Sequence, residues 1–300
     1  MNPKVSIITP TFKRAHFLSR AVDSILSQTY DNIQIVVVDD NAELPEFRKS
    51  TEETMQKYKD DPRVVYIQNE KNLGGGISRN VGIDACDGDY VAFLDDDDEL
   101  EPPKIEAELK FMMMHDLDFC FTDLHIYDAN GKLVEHRTRR FVTDWDPENL
   151  LRLHVLHALT STPTFMIKRE FLHTFGGYRG VPMGQEFMLM WDALQYAIKH
   201  PEIKIGYIPC SYIRVYLHNE GRLSVGSNKI ECEELVYKLK SSQKPALTKK
   251  EVRYMDFRHY SVLAVSYLRG GNKIKCAVNL LKAFNISPVD AVKEAIQLAK

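Results

Sequence analysis

Four short apolar runs in the first hundred residues alternate with amphipathic helical patterns, and this alternation restricts the fold more than any other feature of the sequence. The runs are VSIITP (Val5–Pro10), IQIVVVDD (Ile33–Asp40), VVYIQN (Val64–Asn69) and YVAFLD (Tyr90–Asp95). Strands that alternate with helices form βαβ units and a mainly parallel sheet. The sequence therefore predicts a Rossmann-like α/β fold, with a mainly parallel central sheet and flanking helices.

Each predicted strand ends in polar residues that can bind ligands. These residues are Thr9 and Pro10, Asp39 and Asp40, Asn69, and the run from Asp95 to Asp98. In open α/β sheets, ligands bind in the crevice beyond the carboxyl ends of the strands. Acids and amides that are far apart in sequence are therefore expected to meet at one edge of one sheet.

Composition and charge exclude several classes of protein. The 300 residues are 44% hydrophobic and 27% charged, with a formal net charge of -3, which is typical of a folded protein and argues against nucleic acid as a partner. No apolar run reaches the roughly 18 residues of a membrane span, so any bilayer contact should be peripheral. The five cysteines lack metal-ligand spacing, and Met1–Lys4 leads directly into the first strand. We expect a cytoplasmic protein without a secretory signal, with the inner face of the cell membrane as a peripheral location.

The run Asp95–Asp98 concentrates like charge at the end of an apolar strand. In a partly desolvated crevice, such a cluster needs a counter-cation. Mg²⁺ and Mn²⁺ prefer oxygen ligands and are commonly held by one or two carboxylates together with the phosphates of a substrate. The run therefore predicts Mn²⁺ or Mg²⁺ and a phosphorylated ligand. The alternative is a solvated acidic loop at the start of the following helix.

Three ordered segments carry a resemblance to a known family: VSIITPTFKRAHFLSRAVDSILSQTYDNIQIVVVDD, NLGGGISRNVGI and GDYVAFLDDDDEL. They resemble the inverting family 2 glycosyltransferases of GT-A fold, closely over Lys4–Leu100 and more weakly to about Ser224. The resemblance implies a nucleotide-diphosphate sugar donor, usually UDP-linked. It also implies transfer to a hydroxyl of a glycan or lipid-linked acceptor, with inversion. The processive members' QxxRW motif is absent from the sequence, which favours addition of a single sugar.

The resemblance also implies roles for individual donor-site residues. It places Thr9 and Pro10 at the nucleobase and ribose, Asp39 or Asp40 on the uracil, Arg79 near the base and diphosphate, and Asn80 in support of the Arg79 loop. A guanidinium suits phosphate recognition because it forms a planar fork of donors. The alternatives are a helix or turn cap for the acid pair and a surface arginine for Arg79.

The aspartate run resembles the family's DXD element. In that alignment Asp97 is the metal ligand, and Asp95 and Asp96 lie nearer the ribose and the sugar. Because all four positions are acidic, the register is open by one residue and Asp98 stays a candidate.

The segment GGYRGVPMGQEFMLMWDAL resembles the one in which a glycine-rich turn leads to an acid that opens a helix, which implies Glu186 as the general base. The family more often has Asp there, and Asp192 is the second candidate. One base suffices for inversion. The alternative is that Glu186 only stabilises the helix N-terminus.

The segment RVYLHNEGRLSVG resembles the family loop that closes over the donor. The resemblance implies that His218 completes the metal shell and that Arg222 meets the diphosphate. As a lone loop histidine, His218 is equally well explained as a bystander.

The predicted domains are a GT-A nucleotide-sugar-binding and catalytic domain over residues 1–226 and a C-terminal helical region over 227–300. The helical region is interpreted as a packed appendage. The other interpretations are that it shapes the acceptor site, pairs subunits in a homodimer, or rests on a membrane through Arg269, Lys273, Lys275 and Lys282. A non-catalytic nucleotide-sugar-binding scaffold is the alternative function, because the binding residues are better supported than the base.

Overall fold

A computed structural model describes residues 2–217 and 227–292. The strands in these ranges are β1 (Val5–Thr11), β2 (Ile33–Asp39), β3 (Val64–Gln68), β4 (Tyr90–Phe93), β5 (Glu99–Leu100), β6 (Phe119–Thr122), β7 (Leu124–Tyr127), β8 (Leu133–Arg137), β9 (Phe165–Lys168), β10 (Ile205–Ile208) and β11 (Ile213–Tyr216). The α-helices are α1 (Ala15–Leu26), α2 (Pro45–Met55), α3 (Gly75–Ala85), α4 (Lys104–His115), α5 (Pro147–His157), α6 (Arg169–Thr174), α7 (Gln185–Lys199), α8 (Ser227–Ser241), α9 (Lys249–Arg269) and α10 (Lys273–Ile286).

Seven strands form the central sheet in the order β10-β6-β9-β4-β1-β2-β3. The pairs β1–β2, β1–β4, β2–β3 and β6–β10 are parallel, whereas β9 runs antiparallel to both β4 and β6. A second sheet has the order β5-β11-β7-β8. The predicted α/β fold with a mainly parallel sheet is confirmed, and the four predicted strands are present with ends that differ by at most two residues.

The core lies where β1 and β2 are covered on both faces. Ile7, Ile8, Ile35 and Val36 are completely buried, so neighbouring residues that point to opposite faces are buried alike. This explains the continuous apolar runs, because a strand between two helical layers has no solvent face.

Helix α3 approaches β1 unusually closely because Gly82 has no side chain. A Cβ atom at Gly82 would lie 2.4 Å from Cγ2 of Ile8. Helix interiors disfavour glycine by about 1 kcal/mol relative to alanine, so the close contact outweighs helix propensity here. The contact sets the level of α3 against the sheet and brings Arg79, one turn earlier, to the sheet edge.

The chain divides into two compact units. The first comprises Met1–Leu150, Leu159–Gly180 and Gln185–His218, and the second comprises Leu151–Ala158, Val181–Gly184 and Asn219–Lys300. The described part of the second unit is mainly helical, as predicted for the C-terminal region. The boundary at residue 226 stays a prediction.

Candidate active site

The aspartate run forms a tight turn at the carboxyl end of β4. The Asp98 backbone N–H donates to the Asp95 carbonyl over 3.2 Å, and the Leu94 N–H donates to the Ile8 carbonyl over 3.1 Å. Because β4 lies beside β1 in the sheet, this acidic turn (Asp95–Asp98) lies next to Thr11 at the end of β1. The structure therefore brings polar ends of separate strands to one sheet edge, and all of the acidic turn belongs to the first unit.

Asp96 and Asp97 share one cationic neighbour, Arg14. The Thr11 hydroxyl donates to Asp96 over 2.8 Å, and Nε of Arg14 lies 3.5 Å from the same carboxylate. Nη1 of Arg14 donates to Asp97. Burial raises the pKa of Asp96 to about 7, although Arg14 opposes the shift. The guanidinium of Arg14 thus neutralises part of the acidic turn.

Asp98 differs from its neighbours because its carboxylate binds the backbone of β11, a strand of the second sheet. It is 4% exposed and accepts a hydrogen bond of 3.0 Å from the Tyr216 N–H. Burial raises its pKa well above the usual carboxyl range. Asp95 and Asp97 keep 33% and 18% of their side chains exposed. These exposures favour the register in which Asp97, and not Asp98, meets a ligand.

Arg79 is buried, in contrast to the surface arginine considered as its alternative. It is 7% exposed and donates to Asp95 and, over 2.7 Å, to Oε1 of Gln185. Its guanidinium lies 5.3 Å from the ring centroid of Tyr178. Arg79 therefore joins the acidic turn to the first residue of α7.

The glycines before Arg79 permit this close approach. Gly74 has φ of +76°, and a Cβ atom at Gly76 would lie 2.8 Å from the Arg179 carbonyl and 3.2 Å from the Gln185 side chain. Asn80 fixes the same segment, since its side chain donates to the Tyr178 carbonyl and accepts from the Tyr178 N–H. The glycine run is thus needed for close packing, which explains it better than flexibility does.

Glu186 lies in the first turn of α7, directly after Gln185. Its side chain is partly buried. Burial lowers the pKa of Arg79 and raises that of Tyr178, and the negative charge of Glu186 adds a smaller upward contribution to both. The carboxylate is therefore within electrostatic range of Arg79, which contacts the acidic turn. Asp192, the second candidate base, instead pairs with Arg179 through two hydrogen bonds.

Asp39 is fully buried at the end of β2 and is surrounded by protein donors. It accepts hydrogen bonds from the Asn41 N–H and side-chain amide and from the Tyr66 hydroxyl, at 2.6–2.9 Å. Arg48 lies 3.6 Å away. This set fills most of its acceptor capacity, so a base contact by Asp39 stays a prediction.

Asp40 fastens the loop that leads into α3. Its two oxygens accept from the Asn69 side chain and from the backbone N–H groups of Leu73 and Gly74, at 2.7–2.8 Å. The structure thus gives Asp40 the turn-capping role that the sequence left as an alternative. Its contact with uracil stays a prediction.

The remaining predicted residues fall into two groups. Thr9 is buried, with no hydrogen-bond partner for its hydroxyl within the described ranges, and Pro10 is partly exposed. His218 and Arg222 lie outside the described residues, so their roles stay predictions.

Three residues of the site were not singled out from the sequence: Arg14, Tyr178 and Gln185. Arg14 follows the first strand in TPTFKR, and a basic residue so close to a strand end predicted to bind phosphate was the available signal. Gln185 and Tyr178 carried no signal, because their relation to Arg79 depends on long-range packing.

The part of the chain that carries the acidic turn matches a known family. The model of the family described as glycosyl transferase family 2 matches residues 6–176, more than half of the chain. The chain belongs to glycosyl transferase family 2. The matched region contains the acidic turn, Arg79 and Gly176, the first glycine of the loop before α7.

Among the family 2 relatives, the putative teichuronic acid biosynthesis glycosyltransferase TuaG of Bacillus subtilis is 33% identical over 170 residues, which are 56% of this chain and 63% of TuaG. The chain spans only 18% to 63% of the length of several curated relatives that it matches. The predicted family is confirmed.

Two solved structures share the fold. The S. aureus TarS fragment 1–349 in complex with UDP-GlcNAc has a TM-score of 0.62 at 16% identity, covering 94% of this chain and 91% of that chain. The mannosyltransferase PcManGT of Pyrobaculum calidifontis, in complex with GDP-Man and Mn²⁺, has a TM-score of 0.59 at 15% identity, covering 99% and 81%. The predicted GT-A fold is confirmed.

The chemistry of the acidic turn suits a divalent cation. Within residues 2–217 and 227–292, no three His, Cys, Asp or Glu side chains converge as a metal site. Proteins commonly hold Mg²⁺ with one or two carboxylates, and the phosphates of a substrate and water complete the shell. Asp97 and Asp95 fit this role because they are oxygen donors that keep part of their surface exposed.

Asp96 should make the metal-free protein less stable as the pH rises. Its folded pKa of about 7 exceeds the ordinary carboxyl value, so the native state binds a proton between about pH 4 and pH 7 that the unfolded state releases. The free energy of unfolding should therefore fall through this window, by at most about 1.4 kcal/mol per pH unit from this group.

Urea unfolding in EDTA at pH 5.5 and pH 8 measures this effect, with Asp96→Asn as the comparison. We expect the wild-type protein to lose about 1–3 kcal/mol more than the variant between the two pH values. An equal loss in both proteins would contradict the assignment of a raised pKa to Asp96.

Proposed function

We propose that this protein is an inverting, metal-dependent glycosyltransferase. It transfers one sugar from a nucleotide-diphosphate sugar, UDP-linked, to a hydroxyl of a glycan or lipid-linked acceptor. The observation that carries the proposal is the acidic turn at the carboxyl end of β4, with Arg79 and the first turn of α7 on one side and Arg14 on the other. TarS with UDP-GlcNAc and PcManGT with GDP-Man and Mn²⁺ support the class of donor and the use of a metal.

The residues of the acidic turn and Arg79 have different proposed roles in donor binding. Asp97, with Asp95 beside it, would hold Mn²⁺ or Mg²⁺, which supplies Lewis-acid stabilisation of the leaving diphosphate. Arg79 donates to Asp95, and in this proposal its charge stabilises the negative charge that develops on the leaving nucleotide. Asp96 is held by Thr11 and Arg14 and keeps the turn in shape.

Glu186 is the proposed general base. A carboxylate in the first turn of α7, within electrostatic range of Arg79, can accept the proton of the acceptor hydroxyl as that oxygen attacks the anomeric carbon. A single displacement with one base inverts the configuration, whereas double displacement needs a second carboxylate as nucleophile. Asp192 is a weaker candidate because Arg179 already engages it.

A thermal-shift panel tests this function. The protein is heated with UDP-GlcNAc, UDP-glucose or GDP-mannose, each with and without Mn²⁺. We expect one donor to stabilise the protein by about 2.7 kcal/mol at a concentration of 100 times its Kd, and only when Mn²⁺ is present.

Asp97→Asn should abolish the shift, and Asp192→Asn is the matched control because it removes an equivalent charge that is paired elsewhere in the same unit. The absence of a shift with every donor, or an equal shift in Asp97→Asn, would contradict the proposal.

A further inference from the structure

Helix α10 presents an apolar face to solvent. Ile274 is 80% exposed and Leu281 is 64% exposed, and Val278 and Phe284 are each 46% exposed. We name these four residues the α10 apolar stripe. The buried residues of α10 are Cys276, Asn279 and Ala283.

The spacing makes the stripe continuous. Its members lie at i, i+4, i+7 and i+10, so they follow one another along one side of the helix. The buried side, which includes Ala283, packs with Phe257 of α9. A surface helix normally turns its polar side outward, so a helix that is apolar on its solvent side indicates a binding surface.

The segment of chain that carries the stripe has charges of a single sign. From Phe257 to Val289 the sequence contains no Asp or Glu, and it contains five basic residues: Arg258, Arg269, Lys273, Lys275 and Lys282. The three lysines of α10 are exposed, and two of them lie over tyrosine rings of α9, with Nζ about 5 Å from the centroids of Tyr267 and Tyr260. In a chain with a net charge of -3, this segment is strongly basic.

We propose that the α10 apolar stripe and its flanking lysines dock on an anionic lipid surface. A helix with an apolar face bordered by lysines lies in the membrane interface, with its apolar side among the acyl chains and its cations at the headgroups. Its 14 residues are too short to span a bilayer, and no helix in the described ranges is long and apolar enough to do so. The docked helix therefore lies along the surface.

The basic charge favours an anionic membrane over a second copy of this chain as the partner of the α10 apolar stripe. Two copies related by a twofold axis through this face would bring their basic flanks together, at a cost in repulsion. An anionic surface instead complements the five cations. The membrane contact does not depend on the proposed sugar transfer.

Sedimentation of the full-length protein with vesicles tests the contact. The vesicles contain phosphatidylglycerol and phosphatidylcholine, or phosphatidylcholine alone. We expect binding to the anionic vesicles that weakens with added salt, and at least about tenfold weaker binding to the neutral ones. The double variants Ile274→Gln with Leu281→Gln, and Lys273→Glu with Lys282→Glu, should each lower binding at least about tenfold.

The matched control is Leu133→Gln with Val134→Gln, which alters two apolar residues of β8 that are also about half exposed. This variant should bind vesicles as the wild-type protein does. Each variant should keep its melting temperature and its donor-dependent shift, so a failed vesicle experiment is distinguishable from a failed donor assay. Equal binding to neutral vesicles, no binding to either kind, or a dimer in solution that is lost in the Ile274→Gln with Leu281→Gln variant would overturn the proposal.

Discussion

Replacement of Asp97 by alanine is expected to lower sugar transfer at least about 100-fold, even at saturating donor and Mn²⁺. The reason is that Asp97, the proposed main metal ligand, is a partly exposed oxygen donor of the acidic turn, whereas Asp95, the more exposed acid, accepts a hydrogen bond from the buried Arg79. Asp96 is held by Thr11, and Asp98 holds the Tyr216 N–H. Initial rates of nucleotide release, measured over a range of Mn²⁺ concentrations, give the result.

Asp61→Asn serves as the control, and its activity should stay within about twofold of wild type, because Asp61 pairs with Arg63 outside the acidic turn. The melting temperature of the Asp97 variant should be close to that of the wild type, since Asp97 is only partly buried. Full activity of Asp97→Ala at high Mn²⁺ would refute the metal assignment.

Replacement of Glu186 by glutamine should reduce transfer about 10²- to 10⁴-fold, because the amide cannot accept the acceptor proton. Donor binding should be largely kept, since Asp95 and Gln185 accept hydrogen bonds from Arg79. Transfer rates and the donor-dependent thermal shift, measured on the same preparation, separate the two effects.

The conservative variant Glu186→Asp tests whether the carboxylate itself is needed. Glu186→Asp should recover part of the activity, because the family more often carries Asp at this position, and its pH profile should keep the acidic limb that Glu186→Gln loses. A protein that binds donor and shows no transfer with any acceptor, in wild type and Glu186→Gln alike, would instead be the non-catalytic scaffold.

Strands β1 to β4 could be predicted from the sequence because each is a mainly apolar run. β1 and β2 are covered on both faces, and their ends could be placed within a residue. The antiparallel insertion of β9 was not readable. The segment TFMIKR (Thr164–Arg169) has the composition of a strand, but so short a run does not reveal its direction or the neighbours it pairs with.

The candidate site could be predicted only in part, because only some of its residues belong to local sequence motifs. The acidic run and Arg79 belong to local motifs, so their place at the sheet edge followed from the order of strands. The cation that Arg14 contributes, and the link between Gln185 and Arg79 across 106 residues, depend on tertiary packing. The exposure of the α10 apolar stripe could not be predicted, because a 3.6-residue period shows that an apolar face exists and does not show what covers it.

The position of β9 also limits the order in which a growing chain can assemble. β4 has β1 on one side and β9 on the other, and β9 ends at Lys168, 70 residues after the end of the acidic turn at Asp98. Until that residue has left the ribosome, the strand that carries the acidic turn keeps an open edge of unpaired backbone groups. The nascent protein is therefore exposed to aggregation during this interval, and chaperone engagement should concentrate between the synthesis of β4 and that of β9.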